Sequence, residues 1–356
     1  MAVPKFSVSD NSFHNELRVR INNYFEQKKV KMTGNYKLYL KAVILICSII
    51  LIYTHVVFFT PNVFFVVLES ILLGVLVAGI GFNIMHDGSH GSFSSHKWIN
   101  TMSAYTVNVL GANSFLWNMK HNVIHHTYTN IDGVDDDIDV GIFMRMSKTQ
   151  KKYMMHKYQH YYFWILYSFL YILWIFVLDY IKYFRGSIGE IKINNMKLND
   201  HIVFWLFKAL HLFLFIGLPL YFLGIKLFLV YFLVMTLVAG FVLSIVFQLA
   251  HTVEDTHFPQ ADLKSGKMED EWAVHQLKTT ANFATKNKLV SWFVGGLNFQ
   301  IEHHLFPKIS HIHYPAISDI IRQTCKEFGI EYIEYPKVRY AIASHVNHLK
   351  AMGNAA

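Results

Sequence analysis

Five long stretches of the chain are almost free of charge, at 38–59, 62–83, 161–184, 202–223 and 225–250. Each comes close to the roughly 20 apolar residues that let a helix cross a bilayer core. Thr60 and Pro61 separate the first two, and little more than Gly224 separates the last two, so each pair predicts a tight helical hairpin with its short loop on the outer side. Lysine and arginine gather elsewhere: at Lys28, Lys29, Lys31 and Lys37 before the first hairpin, at Lys148, Lys151, Lys152 and Lys157, and at Lys182, Arg185, Lys192 and Lys197. The positive-inside bias puts all of these on the cytoplasmic face. A full crossing by 161–184 would divide them between two sides. That stretch is rich in Tyr161, Tyr162, Trp164, Tyr167, Tyr171 and Trp174, whose rings favour the headgroup level, and it predicts an interfacial or re-entrant helix. The stretch 101–117 is shorter and is interrupted by Asn108, Gly111 and Asn113, which predicts a second interfacial segment.

The expected fold class is therefore an all-α integral membrane protein with about four transmembrane helices in two hairpins plus interfacial helices. Its expected organisation is a cytoplasmic N-terminal segment 1–37, a membrane domain 38–307 and a cytoplasmic C-terminal segment 308–356, with both termini on the cytoplasmic side.

Composition agrees: of 356 residues, 53% are hydrophobic and 16% aromatic, too apolar for an ordinary soluble domain of this size. The formal net charge of +8 comes from basic residues flanking apolar runs, which points to a membrane surface and not to nucleic acid. Cys47 and Cys325 are isolated, so neither a disulfide framework nor a thiolate metal site is expected, and a reducing compartment fits. No small-residue cleavage site follows the first apolar run, so no cleaved signal peptide is expected.

Histidine is the anomaly, with 21 copies whose placement is ordered. After the second apolar run comes His86-Asp87-Gly88-Ser89-His90, two imidazoles one helical turn apart on one face, a spacing that suits a shared metal. The next box is His121-Asn122-Val123-Ile124-His125-His126, where an adjacent histidine adds a second direction and lets one helix serve two metals. Near the C-terminus stands Gln300-Ile301-Glu302-His303-His304, with His251 at the end of the last run. One such pair arises by chance in a histidine-rich chain. Three, each beside a cytoplasmic membrane boundary, point to a metal. Imidazole suits zinc, copper, nickel and iron alike. Eight histidines exceed the needs of one tetrahedral zinc, so two metals are implied, and redox-inert zinc could not oxidise an unactivated C–H bond with O2.

These strings resemble the membrane fatty-acid desaturases, and in particular the front-end branch related to linoleoyl-CoA desaturase. The resemblance rests on Met85 to Gly91, on Lys120 to Asn130, and on Gly295-Gly296-Leu297-Asn298-Phe299-Gln300-Ile301-Glu302-His303-His304-Leu305-Phe306-Pro307, where a glutamine-led third box is the front-end pattern. It implies a cytoplasmic histidine-rich di-iron region in which His86, His90, His121, His125, His126, His251, His303 and His304 ligate two non-haem irons. Gln300 stands at the leading third-box position, and Gln248 is a candidate for a supporting role. It further implies O2 as co-substrate, desaturation of a long acyl chain between an existing double bond and the carboxyl end, and an acyl-CoA, acyl-carrier or acyl-lipid substrate in the membrane. The His-Pro-Gly-Gly haem motif of fused cytochrome b5 domains does not occur, so electrons are expected from a separate ferredoxin or cytochrome b5-type donor with its reductase.

Asp87, Asp136, Asp137, Asp139 and Glu302 are candidates to orient imidazoles through the second ring nitrogen; a solvated acidic loop is the plainer reading of 135–139. His55, His201, His211, His311 and His313 are expected to be structural, His257 is a weaker rival to His251, and Glu69 is an intramembrane carboxyl group without an assigned role. Two other readings remain open: a di-iron lipid hydroxylase, and a metal transporter, whose histidines should line a path near the bilayer midplane.

Overall fold

A computed structural model of the protein describes residues 4–7, 12–59, 62–189, 191–193, 196–262 and 264–355. Helix α1 is Phe13–Lys28 and α2 is Tyr36–Phe58, the latter started by Asn35, whose side chain accepts from the Lys37 amide. Helix α3, Val63–His90, begins under Asn62, which caps the Phe64 and Phe65 amides. The Thr60-Pro61 turn expected between α2 and α3 lies outside the described residues.

A single helical stretch is assigned to 198–251, and at 1.5 Å per residue its 54 residues would be about 80 Å long, far beyond one bilayer crossing. Gly224 divides it. With φ 70° and ψ 165° its backbone is non-helical, which separates α8 (198–223) from α9 (225–251) where the sequence predicts a hairpin. Counting that break, α2, α3, α8 and α9 supply four apolar helices of crossing length among the described residues.

The aromatic stretch takes the form of a bent pair, with α6 at Met154–Ser168 and α7 at Leu170–Arg185 meeting at 57°. Between α3 and this pair lie α4, Lys97–Val109, and α5, which runs from Ser114–Asn118 through Met119–His125 to His126–Tyr128. Gly240 of α9 sits against the Ser168 carbonyl at the bend, so close that a Cβ would collide with it. Leu38, Leu45, Leu73, Val77, Tyr231, Met235 and Ala239 form the membrane core between α2, α3 and α9.

Past α9 come α10 (Trp272–Thr279), α11 (Lys288–Phe293), α12 (Gln300–Leu305), α13 (Tyr314–Phe328) and α14 (Val338–Asn354). Phe13, Leu17, Ile21 and Phe25 of α1 join Leu277, Ile301, Leu305, Tyr314 and Ile321 in a separate apolar cluster, which seats α12 on a firm base. Short strands tie this cap together: Lys5–Ser7 runs parallel to Lys267–Glu271, and Asn282–Phe283 runs parallel to Glu334–Tyr335.

Candidate metal centre

Two of the histidine boxes sit on or directly after backbone that is not α-helical. In α3 the segment Gly81–Met85 is π-helical immediately before His86, and Met119–His125 is π-helical through most of the second box. A π-segment bonds i to i+5, and such bulges recur where a helix must re-aim side chains at a functional site. The consequence is visible in the second box. His126 Nε2 comes 3.3 Å from His121 Nε2, while His121 and His125 still lie close enough to group with Asp137, and His125 also groups with His251 and His304.

Ligand-capable nitrogens of His86, His90, His121 and His303 lie within 4.8 Å of one another, and so do those of His125, His251 and His304. His126 stands between the two clusters and groups with His303 and His304. The seven box histidines and His251 thus converge, from α3, α5, α12 and the end of α9. His257, whose backbone carbonyl accepts from Asn130, is in neither cluster. His55 pairs with Glu69 at 2.6 Å, which gives that intramembrane carboxylate a partner away from the clusters.

The way the rings are held is more informative than their proximity. His251 Nδ1 donates to the Thr279 carbonyl at 3.2 Å, His304 Nδ1 donates to Gln276 Oε1 at 2.8 Å, and His303 Nδ1 is 3.1 Å from the Tyr314 hydroxyl. His125 Nδ1 faces Asp135 at 3.0 Å and Asp137 at 3.3 Å. In all four rings the opposite nitrogen, Nε2, is buried and has no hydrogen-bond partner. A buried imidazole with one nitrogen fixed by the protein and the other left bare is the arrangement of a metal ligand.

Protonation follows the same logic. Burial, reinforced by neighbouring imidazoles, holds His121, His126, His303 and His304 far below the ordinary histidine range, so they stay neutral with a lone pair available. His125 differs: burial opposes its charged form, but Asp135 and Asp137 outweigh burial and raise its pKa.

The supporting residues only partly match the sequence expectation. Asp137 faces His125, but the fully buried partner of that ring is Asp135, which also accepts from the Asn130 amide. Asp136 pairs with Lys182 at 2.6 Å, and Asp139 accepts from the Gly141 amide in an exposed turn. Glu302 holds no box ring: its carboxylate accepts from Asn282 and Tyr332, and burial raises its pKa to about 7 against the pull of those bonds. Asp87 turns away from its own box toward Ser310, at 2.7 Å, and His311, at 3.0 Å. His311 in turn meets Lys41 Nζ at 3.0 Å, and Lys41 also donates to Asn83 and to the Trp292 carbonyl. Gln248 is engaged by Thr252 and the Asp137 carbonyl. Gln300, on the face of α12 that carries the third-box histidines, has both amide atoms buried without partners.

Beside the clusters a cavity of about 740 Å³ opens between the membrane helices. His86, His121, His125 and His251 form one part of its lining, Phe82, Leu110, Trp117, Leu243 and Phe247 an apolar part, and Lys182 and Arg185 a cationic part. Its size lies within the usual range for ligand pockets, roughly 300–1,000 Å³.

The helices and the buried histidines define an integral membrane protein with a polyhistidine site suited to metal. The chain belongs to the fatty acid desaturase family, whose profile matches residues 60–336, and it is an oxidoreductase of that kind. It is 38% identical over 346 residues to the sn-1 linoleoyl-lipid 6-desaturase of Synechocystis sp., covering 96% of each chain. The enzyme of the same name from Arthrospira platensis is 36% identical, over 96% of this chain and 92% of its own. The acyl-lipid (8-3)-desaturase of Physcomitrium patens is 34% identical, over 96% of this chain and 72% of its own.

Proposed function

We propose that this protein is a front-end acyl-lipid desaturase that holds two non-haem irons on its seven box histidines and His251. The observation that carries the reading is the shared pattern of His125, His251, His303 and His304, each with Nδ1 engaged and Nε2 buried and bare. On this reading His86, His90, His121 and His303 hold one iron, His125, His251 and His304 hold the other, and His126 lies between them. Gln300 is placed to contribute an amide oxygen or to hold a water. Bound iron would supply O2-dependent removal of two hydrogens from adjacent methylenes, with both oxygen atoms leaving as water, two electrons arriving from a separate donor and two protons from solvent.

The protein's own contribution is positional. The cavity walls hold one carbon pair beside the histidines, because a displacement of about 1 Å is enough to misplace reacting atoms. Phe82, Trp117 and Phe247 keep water from that part of the cavity. Thr279, Gln276, Asp135 and Tyr314 fix the rings. An acyl-lipid substrate fits the names of the relatives above, and a cytoplasmic orientation fits the distribution of Lys and Arg. The cationic face suits an acidic ferredoxin or cytochrome b5-type donor.

The test is the fatty-acid profile of a host that expresses the chain, with double bonds located by mass spectrometry, beside a His304→Ala control. A new double bond on the carboxyl side of an existing one, absent from the control, is expected. A hydroxylated chain in its place would assign the protein to the rival oxidation class.

A further inference from the structure

Buried between helices, apart from the histidine clusters, Lys208 of α8 and Asp179 of α7 form an ion pair at 2.8 Å, with side chains 5% and 2% exposed. Taking two charges out of water is costly, so a buried pair calls for an explanation. Helix α4 ends at Val109, and the last carbonyls of a helix have no partner within it. Here three consecutive carbonyls are taken by side chains from two other helices. His211 Nδ1 is 3.2 Å from the Val109 carbonyl, the Tyr171 hydroxyl donates to Leu110, and Lys208 Nζ donates to Gly111 at 2.6 Å. The fit is tight: Gly111 has φ 98°, and a Cβ there would meet the His211 ring at 2.8 Å.

Satisfying buried carbonyls would explain hydroxyl or water partners, but it does not by itself require a lysine and an aspartate. What distinguishes this turn is its position. Leu110 and Ala112 line the same cavity as His86 and His121, as do Tyr171 and Trp174. Trp174 donates from Nε1 to the second oxygen of Asp179 at 3.1 Å, and Lys208 also holds the Ile175 carbonyl at 2.9 Å. One ion pair therefore fixes two parts of the cavity wall, the turn after α4 and the inner face of α7.

We infer that the Lys208–Asp179 pair, through its hold on the 109–111 turn and on Trp174, sets the wall that decides how far an acyl chain extends past the histidines. It thereby selects the carbon pair that is oxidised and the chain lengths accepted. This rests on the desaturase reading above. Lys208, Asp179 and His211 act as positioning residues, and Leu110 and Ala112 present the measuring surface.

The test uses the full chain expressed in a host supplied with sixteen-, eighteen- and twenty-carbon acyl chains. Two variants are compared with the parent: Lys208→Met combined with Asp179→Leu, which removes both charges together, and Ala112→Phe, which alters the wall alone. Double-bond position, the ratio of products by chain length, and iron per chain are measured. Both variants are expected to keep their iron while the product ratio or the bond position shifts on the order of tenfold, the scale on which a pocket discriminates a methylene. Variants that desaturate with the parent's bond position and chain-length ratio, whatever their total yield, would overturn the inference. If the double variant fails to accumulate, Asp179→Asn, which removes the ion pair while keeping an acceptor for Trp174, decides by the same criterion. A parent chain that forms no new double bond would instead remove the desaturase reading beneath it.

Discussion

His304 Nδ1 lies 2.8 Å from Gln276 Oε1, so a residue of α10 fixes the ring of a third-box histidine 28 positions further along the chain. The Thr129 hydroxyl donates to the same oxygen at 2.9 Å, which links the end of the second box to the third. Because Gln276 Oε1 accepts, the His304 proton is held on Nδ1 and the lone pair on Nε2 faces the cluster. Gln276→Leu should therefore lower metal affinity by about 10–100-fold, and Gln276→Glu, which keeps an acceptor, should retain most of it. Competition with a chelator measures both, and equal affinity in the leucine variant would remove Gln276 from the site.

Asp135 and Asp139 stand in one acidic run but should behave oppositely. Asp135→Asn takes the buried carboxylate from His125, whereas Asp139→Asn changes an exposed turn. Iron content should fall in the first by about the same 10–100-fold in affinity and be unchanged in the second. Equal loading in both would make the run a solvated loop, the plainer reading of its sequence.

The spans and boxes could be read from the sequence because each depends on local pattern: apolar length for α2, α3, α8 and α9, and histidine spacing for the boxes. What holds the rings could not. The Thr279 carbonyl, Gln276 and Tyr314 reach the boxes through tertiary approach, and nothing in their own neighbourhoods marks them, whereas Asp135 lies in the acidic run already singled out, beside the members named as candidates. Periodicity also assumes an α-helical repeat, so the π-helical Met119–His125, which brings His126 beside His121, was invisible to it. The Lys41–His311 connection was missed for a related reason: it joins α2 to a residue 270 positions later.

Lys41 ties α2 to Asn83, to Trp292 and, through His311, to Asp87 beside the first box. Lys41→Met should destabilise the protein by about 1–3 kcal/mol, since it leaves buried acceptors without a donor. A thermal unfolding scan in detergent checks this, and an unchanged midpoint would show that the tether contributes nothing.

Helix α14 should loosen in acid. Burial, partly offset by a backbone bond to Thr252, lowers His345 to about 4, and burial lowers His348 to about 4 against its bond to the Met146 carbonyl. Unfolded, each would titrate near 6.5, so between about pH 6.5 and 4 the unfolded state binds more protons and stability falls as pH falls. Each ring contributes up to about 1.4 kcal/mol per pH unit in that window. Protection factors over Val338–Asn354, taken after correcting for the pH dependence of intrinsic amide exchange, should be lower at pH 5.5 than at pH 7.5, and replacing both histidines with glutamine should flatten the difference. The same pH dependence in that variant would assign the effect elsewhere.

The most direct test of the two-iron account is anomalous diffraction from crystals of the iron-loaded protein, recorded on both sides of the iron absorption edge. Two iron peaks are expected, one among His86, His90, His121 and His303 and the other among His125, His251 and His304. A single peak, or a metal bound away from these nitrogens, would contradict it.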